Sequence, residues 1–381
     1  MFHDYSNKSL ELYGKEKGVI KTFNIFDVAN RDALSTVYTP GVGAVSQEIF
    51  KDPEKASKLT LKGRMVAVIT DGSAVLGLGN LGAEAAIPVM EGKCVLFKKF
   101  ADIDAFPIAI KTQNVEEFVQ TVKNICPVFG AINLEDISAP RCFEIEERLK
   151  KELDIPVMHD DQHGTAIVVL AGLINATKVV GKKIEDLKVL INGTGAAGTA
   201  IGRLLLLYGI KNIIFVDSQG SICRTRAEIN KYKKALVDES GENPQCDIPL
   251  EEMIAGRDVF IGVSRPDLLT EKMIKSMGND PIIFALANPV PEIMPDEAKK
   301  FGAKVVATGR SDFPNQINNA LVFPGIFHGV FRYGKKEITD EMKLKAAKAL
   351  ADIVENPTSD QIIPDIFDKK VMLAISDAMR E

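Results

Sequence analysis

The chain has 381 residues, 46% hydrophobic and 26% charged, with 52 acidic against 47 basic side chains and a net charge of -5. That length exceeds one ordinary domain and suits two buried cores. No block of like charge occurs, which argues against nucleic-acid or anionic-membrane partners.

Residues 1–60 read as helical and polar, broken by the loop Thr39-Pro40-Gly41-Val42-Gly43. The opening MFHDYSNKSL has no apolar stretch of the secretory kind, and the longest clean apolar run, Ala166 to Ile174, is far short of a membrane span. A cytoplasmic protein is therefore expected. Five cysteines without a C-x-x-C spacing predict reduced, mostly buried thiols. Met65 to Thr70 is an apolar run of strand length, the pattern of a strand buried on both faces. Cys94 to Phe97 and Pro107 to Ile110 read as further strands, and Val115 to Cys126 as a helix. Ala131 to Leu134 is a short strand that ends at Glu135-Asp136. Pro140 to Leu153 reads as an amphipathic helix with proline in its first turn. Pro156-Val157-Met158 is another short strand, and it ends near Asp160-Asp161. Both acidic pairs thus fall just past strand ends, where open α/β sheets bind ligands. Parallel neighbouring strands would bring them together.

After Gly164 a long apolar helix runs to about Val180. The pattern G-x-G-x-x-G then occurs at Gly193, Gly195 and Gly198, directly after the strand Val189-Leu190-Ile191 and before a helix at Ala200 to Leu207. Asp217 ends the next strand, 19 residues after Gly198. This is the dinucleotide fingerprint: Gly193 makes the turn, Gly195 admits the pyrophosphate, and Gly198 lets helix and strand pack. Asp217 suits the ribose hydroxyls of NAD, while the nearby Arg224 and Arg226 leave NADP open. A second copy at Gly77, Gly79 and Gly82 is detached from its strand, and it reads as a loop lining the substrate pocket. Strands at Val259 to Val263, Ile282 to Leu286 and Lys304 to Ala307 complete a doubly wound sheet. Residues 335–381 read as helices that pack back on the first domain. The fold class is therefore α/β with two domains. The expected division is an N-terminal α/β catalytic domain over 1–163, a Rossmann-type dinucleotide domain over 164–325, and a helical segment over 326–381.

Glu135, Asp136 and Asp161 offer three carboxylates to one hard cation, Mg²⁺ or Mn²⁺. His159 and His163 have the i, i+4 spacing of a zinc pair, but Pro156 and Gly164 predict a loop there instead.

With these motifs in place, the chain resembles the malic enzymes, in particular the compact bacterial and archaeal type. The resemblance runs from Y-T-P-G-V-G at 38–43 through T-D-G-S-A-V-L-G-L-G-N-L-G, P-V-M-E-G-K, N-L-E-D, H-D-D-Q-H-G-T-A and F-A-L-A-N-P to N-N-A-L-V-F-P-G at 318–325. It implies metal-dependent oxidation of L-malate by NAD(P), then decarboxylation to pyruvate. It implies Lys93 as the base for the C2 hydroxyl, with a pKa lowered by burial or nearby cations. Tyr38 would protonate C3 of enolpyruvate, and Asp160 would support Lys93. The cofactor would lie on Gly193, Thr194, Gly195, Ala196, Ala197, Gly198, Asp217 and Asn288. Asn288, Asn318 and Asn319 match amides that contact substrate or nicotinamide ribose. Larger relatives hold a malate carboxylate with an arginine that Asp71-Gly72-Ser73-Ala74 lacks. That duty would pass to Ser73, to the glycine loop, or to a partner subunit. The resemblance also implies a homodimer. An oxaloacetate decarboxylase or a malolactic-type enzyme on the same fold is the alternative.

Overall fold

The computed structural model describes residues 5–380. Two parallel sheets organise it. The first contains β1 (Met65–Thr70), β2 (Asp104–Ala109), β3 (Ala131–Leu134) and β4 (Val157–His159), in the order β2-β1-β3-β4. The second contains β5 (Val189–Asn192), β6 (Ile213–Asp217), β7 (Gly220–Ser221), β8 (Val259–Gly262), β9 (Ile282–Ala285) and β10 (Val305–Thr308). Its order is β10-β9-β8-β5-β6-β7, with only β7 antiparallel. The order reverses at β5, the position where doubly wound sheets open a ligand crevice.

Val66 to Ile69 in β1 are wholly buried, as their unbroken apolar run predicts. Cys94 to Phe97 do not form a strand. They lie in the helix Ala83–Ala101, whose buried residues include Ala86, Met90, Lys93, Cys94, Phe97 and Ala101. Those positions recur at three- and four-residue steps, so the period of the whole segment overrides the short apolar run. Likewise Gly41 to Gly43 open the helix Gly41–Lys51, and only Thr39 and Pro40 of the expected loop stay outside it.

The helix Asp160–Val180 is the central pillar. It begins at Asp160 rather than after Gly164. At 21 residues it is long and apolar enough to cross a bilayer, but 67% of its most apolar window is buried inside the molecule. The helices Ala196–Tyr208 and Asp340–Asp352 pack against it. The helix Lys369–Asp377 packs on Phe323–Arg332, and Phe367 meets Phe100 of the first sheet's helical layer at 5.8 Å. The C-terminal helices therefore pack chiefly on the central helix and on Phe323–Arg332.

Cys223 and Cys246 form a disulfide, with Cα atoms 5.0 Å apart, which corrects the expectation of thiols throughout. Spacing cannot reveal that pairing, because it depends on two loops meeting in space. Cys94 and Cys142 are buried thiols.

The N-terminal helices Tyr5–Glu16, Arg31–Val37 and Gly41–Lys51 contain no buried residue. Ile25 is 80% exposed and Phe50 88% exposed.

Candidate active site

Strands β3 and β4 are parallel neighbours, with Leu134 opposite His159. Glu135-Asp136 and Asp160-Asp161 follow them directly, so the two acidic pairs meet as expected. One oxygen each from Glu135, Asp136 and Asp161 lies within 4.8 Å of the others. Asp161 also accepts a 2.8 Å hydrogen bond from the Asp136 backbone N–H, and Asn133 donates to Glu135 at 3.0 Å. Asp136 sits at φ 54°, in the left-handed region that short polar side chains tolerate. Its Oδ2 is buried without a hydrogen-bond partner. Burial, then the charge of Asp161, pushes Glu135 well above the usual carboxylate range and Asp136 up to about 7. Clustered oxygen donors, one of them buried and unpartnered, fit a hard divalent cation.

Lys93 reaches this cluster from the helix Ala83–Ala101. Its ammonium contacts Asp160 directly, lies 3.1 Å from Glu135, and stands 4.3 Å from the Phe323 ring centroid. Burial opposes its charge, but Asp160, Glu135 and Asp161 outweigh burial and raise its pKa. The expectation of a lowered pKa is thus reversed in the protein alone, because carboxylates surround the amine instead of cations. A Cβ at Gly164 would collide with the Asp160 carboxylate and come within 3.0 Å of Asn319. Glycine there lets Asp160 and Asn319 approach each other. Asn318 caps the turn Asn319–Leu321 by accepting from Ala320 N–H at 2.9 Å. Asn288 touches both domains' loops: its carbonyl lies against Gly77, and its amide lies against Gly309.

The Ser73 hydroxyl is hydrogen-bonded within the chain. It donates to Asp71 at 2.5 Å and accepts from Ser138 N–H and Arg141, each at 2.9 Å. Arg141 also pairs with Asp71 at 2.9 Å. The sequence reading missed this arginine, although it lies just beyond Ser138-Ala139-Pro140. Its contact with Ser73 crosses 68 residues, and no local pattern encodes it. Tyr38 is 66% exposed, and its hydroxyl makes no hydrogen bond with the described residues.

His159 and His163 do not form a metal pair. His163 sits in the first turn of the central helix and meets Glu146 at 2.9 Å. Burial drives its pKa down to about 3, so it is neutral.

The glycine turn follows β5. Gly193 has φ 103°, and a Cβ there would press on the Val263 carbonyl at 2.7 Å. A Cβ on Gly198 would collide with the Gly193 carbonyl, whereas nothing lies within 4 Å of the Gly195 position. The first and third glycines thus serve chain packing, and the second leaves open space for a ligand. The helix opens at Ala196, and the Thr194 hydroxyl is buried without a partner. A cavity of about 520 Å³ adjoins the turn, lined in part by Gly193, Asp217, Ser264 and Arg265. Residues 162–376 match the NAD-binding domain of malic enzymes, and residues 16–115 and 111–150 match the malic enzyme N-terminal domain. The chain belongs to the malic enzyme family.

It is 54% identical to an NAD-dependent malic enzyme of Geobacillus stearothermophilus, over 96% of this chain and 76% of that protein. It is 51% identical to a bifunctional malic/malolactic enzyme of Bacillus subtilis, over 98% and 91% respectively. Among solved structures, it superposes on the NAD-dependent malic enzyme of Thermotoga maritima with a TM-score of 0.93 at 48% identity, covering 97% of this chain and 98% of that one.

Within this malic enzyme fold Asp217 is held from three sides. It accepts from Lys233 at 2.7 Å, from Arg226 at 3.0 Å and from Gln219 N–H at 3.0 Å. Burial works against its charge, but these donors keep its pKa below the usual value. Arg224 instead donates to the carbonyls of Val237 and Ser240, which close the helix Lys231–Glu239. The sequence reading also missed Glu292. It is fully buried and accepts from Ser264 N–H and Ala287 N–H, each at 3.0 Å, tying two loops at the cofactor crevice.

Proposed function

We propose that the chain oxidises L-malate with NAD and decarboxylates the product to pyruvate, working in the cytoplasm as a homodimer that needs Mg²⁺ or Mn²⁺. One observation supports this best. A buried lysine contacts Asp160 and one carboxylate, Glu135, of an oxygen cluster that stands at the strand ends beside a dinucleotide turn.

Glu135, Asp136 and Asp161 would hold the metal, which supplies Lewis-acid polarisation of the substrate oxygen at C2. Lys93 takes the proton of the C2 hydroxyl when it is neutral. Asp160 and Glu135 then stabilise the ammonium that forms. The Phe323 face adds cation–π attraction at that point. Burial at the cluster keeps water away and strengthens each of these charge contacts. Gly193 to Gly198 receive the pyrophosphate on the N-terminus of the helix Ala196–Tyr208, and Asn288 stands where both domains' loops meet. Arg226 and Lys233 beside Asp217 favour tolerance of a 2′-phosphate, so NADP is accepted as well. Arg141, paired with Asp71, holds the turn at Asp71-Gly72-Ser73, and the carboxylate-facing role falls to Ser73, to the glycine loop or to a partner subunit. Tyr38 supplies the proton at C3 from a partner subunit. The exposed apolar side chains of its N-terminal segment support that placement. The catalytic domain ends near residue 163 and the dinucleotide domain near 325.

The test is malate-dependent NADH formation with Mn²⁺, and its loss in Lys93→Ala with NAD binding retained. Removing a proton-transfer group costs roughly 10²–10⁴-fold in kcat. The 51% identity to a bifunctional malic/malolactic enzyme supports a second reading, malate to lactate. Lactate without net NADH would select that reading. Full activity in Lys93→Ala would refute the assigned base.

A further inference from the structure

Behind the active centre lies a second cavity, of about 600 Å³, at the meeting of five helices. The helix Arg141–Glu152 contributes Phe143 and Glu146, and the central helix contributes Gln162 and His163. The helix Ala196–Tyr208 contributes Thr199, Arg203 and Leu204. The helices Lys231–Glu239 and Asp340–Asp352 supply Leu236 and Lys343. Successive residues of a helical turn point in different directions. Asp160 and Asp161 accordingly serve Lys93 and the acidic cluster, while the next two residues line this cavity.

The lining combines an apolar body with charges of both signs. Lys343 is only 4% exposed and donates to Asp340 at 2.8 Å. Lys150 pairs with Glu146 at 2.7 Å, and Arg203 pairs with Asp340 at 3.2 Å. Of these charges only Glu146 and Lys343 are buried. Lys150, Arg203, Glu147 and Glu239 stand at the exposed rim, and Glu147 is engaged by Lys231 and Tyr232. Gln162 is 4% exposed, and its amide nitrogen has no hydrogen-bond partner. A buried N–H left unmade is costly, and a ligand oxygen would satisfy it. The buried Lys343 ammonium, an unmade amide donor and walls of Phe143, Leu204 and Leu236 suit one anionic oxygen group on an apolar body.

We propose that this cavity is a second ligand site, separate from the malate site, for a small organic monocarboxylate with an apolar body. Its carboxylate would sit between Gln162 and Lys343, and its apolar part would lie on Leu204 and Leu236. The site adjoins the first turn of the helix bearing Asp160 and Asp161, and the early turns of the helix that receives the cofactor. Occupancy therefore adjusts the active centre's KM without touching the reacting atoms. This inference does not depend on which reaction of malate the chain catalyses.

The probe is benzoate, with neutral benzamide as its control, followed by ligand-observed NMR on the full-length protein with malate, Mn²⁺ and NAD saturating. Saturable benzoate binding at a Kd on the order of millimolar is expected, with no binding of benzamide. Lys343→Met should weaken binding by about tenfold, since a buried charge partner is lost. Leu204→Trp, which fills the apolar end, should abolish it. Thermal melting of both variants, and turnover of malate without benzoate, show whether the fold survives. Absence of benzoate binding would overturn the proposal and leave a water-filled cavity. Displacement by malate, or equal binding in a folded Lys343→Met protein, would overturn it as well.

Discussion

Asp136 is the residue whose titration best reports on the acidic cluster. Burial and the neighbouring Asp161 raise its pKa from an ordinary 3.8 to about 7. The folded chain therefore binds this proton more tightly than the unfolded chain does. Without metal, this group's contribution to stability is greatest below pH 3.8 and declines as pH rises to about 7. A cation needs the carboxylate ionised, so stabilisation by Mn²⁺ must grow across the same window. The expected outcome is a gap in Tm between Mn²⁺-loaded and EDTA-treated protein that widens from about pH 5 to pH 8, by roughly 2–4 °C per kcal/mol in domains of this size. Asp136→Asn should flatten that dependence. A constant gap would mean that ion binding is not coupled to Asp136, and no gap at any pH would mean that the cluster does not bind the ion. Sequence order located this cluster, since both acidic pairs follow strands. The family resemblance paired Asp160 with Lys93, but nothing in the sequence revealed that Glu135 also meets Lys93 or that Arg141 meets Ser73. Those depend on partners 42 to 68 residues away, and side-chain contacts at that range leave no periodic trace.

The elements that were legible are those whose pattern persists over their full length. β1, the glycine turn and the central helix carry unbroken apolar runs or fixed glycine spacing; the first two stand where their pattern placed them, and the helix begins earlier than expected, at Asp160. The misread Cys94–Phe97 shows the limit, because four apolar residues satisfy a strand and a helix face equally well. The helix Lys231–Glu239 was not foreseen, yet it sets the cofactor site. Asn230 caps it by accepting from Tyr232 and Lys233 N–H, which fixes the first turn and delivers Lys233 to Asp217. If Lys233 and Arg226 accommodate a 2′-phosphate, Lys233→Ala should lower kcat/KM with NADP by about tenfold, roughly 1.4 kcal/mol. With NAD it should change by less than about twofold, because the ribose diol needs no cation. Steady-state rates with both cofactors decide it. An equal loss on both would assign Lys233 to holding the loop alone.

At the scale of the whole molecule, the N-terminal helices are the part that a single chain leaves unexplained. They bury none of their own residues, and with their connections they present Ile25, Tyr38 and Phe50 to solvent. Apolar exposure of that kind marks a protein–protein contact. A symmetric pair would place each chain's Tyr38 against the other's Lys93 if the two arms exchange. Intersubunit complementation tests this directly. Tyr38→Phe and Lys93→Ala should each be inactive as homodimers. When they are unfolded and refolded together in equal amounts, half of the dimers are mixed, and each mixed dimer holds one intact site of two. Activity should then return to about a quarter of the wild-type level. If Tyr38 and Lys93 met within one chain, no mixed dimer would contain an intact site, and activity would stay at background. Recovery would also show that the dimer is the catalytic unit, since neither chain alone would contain both the base and the acid.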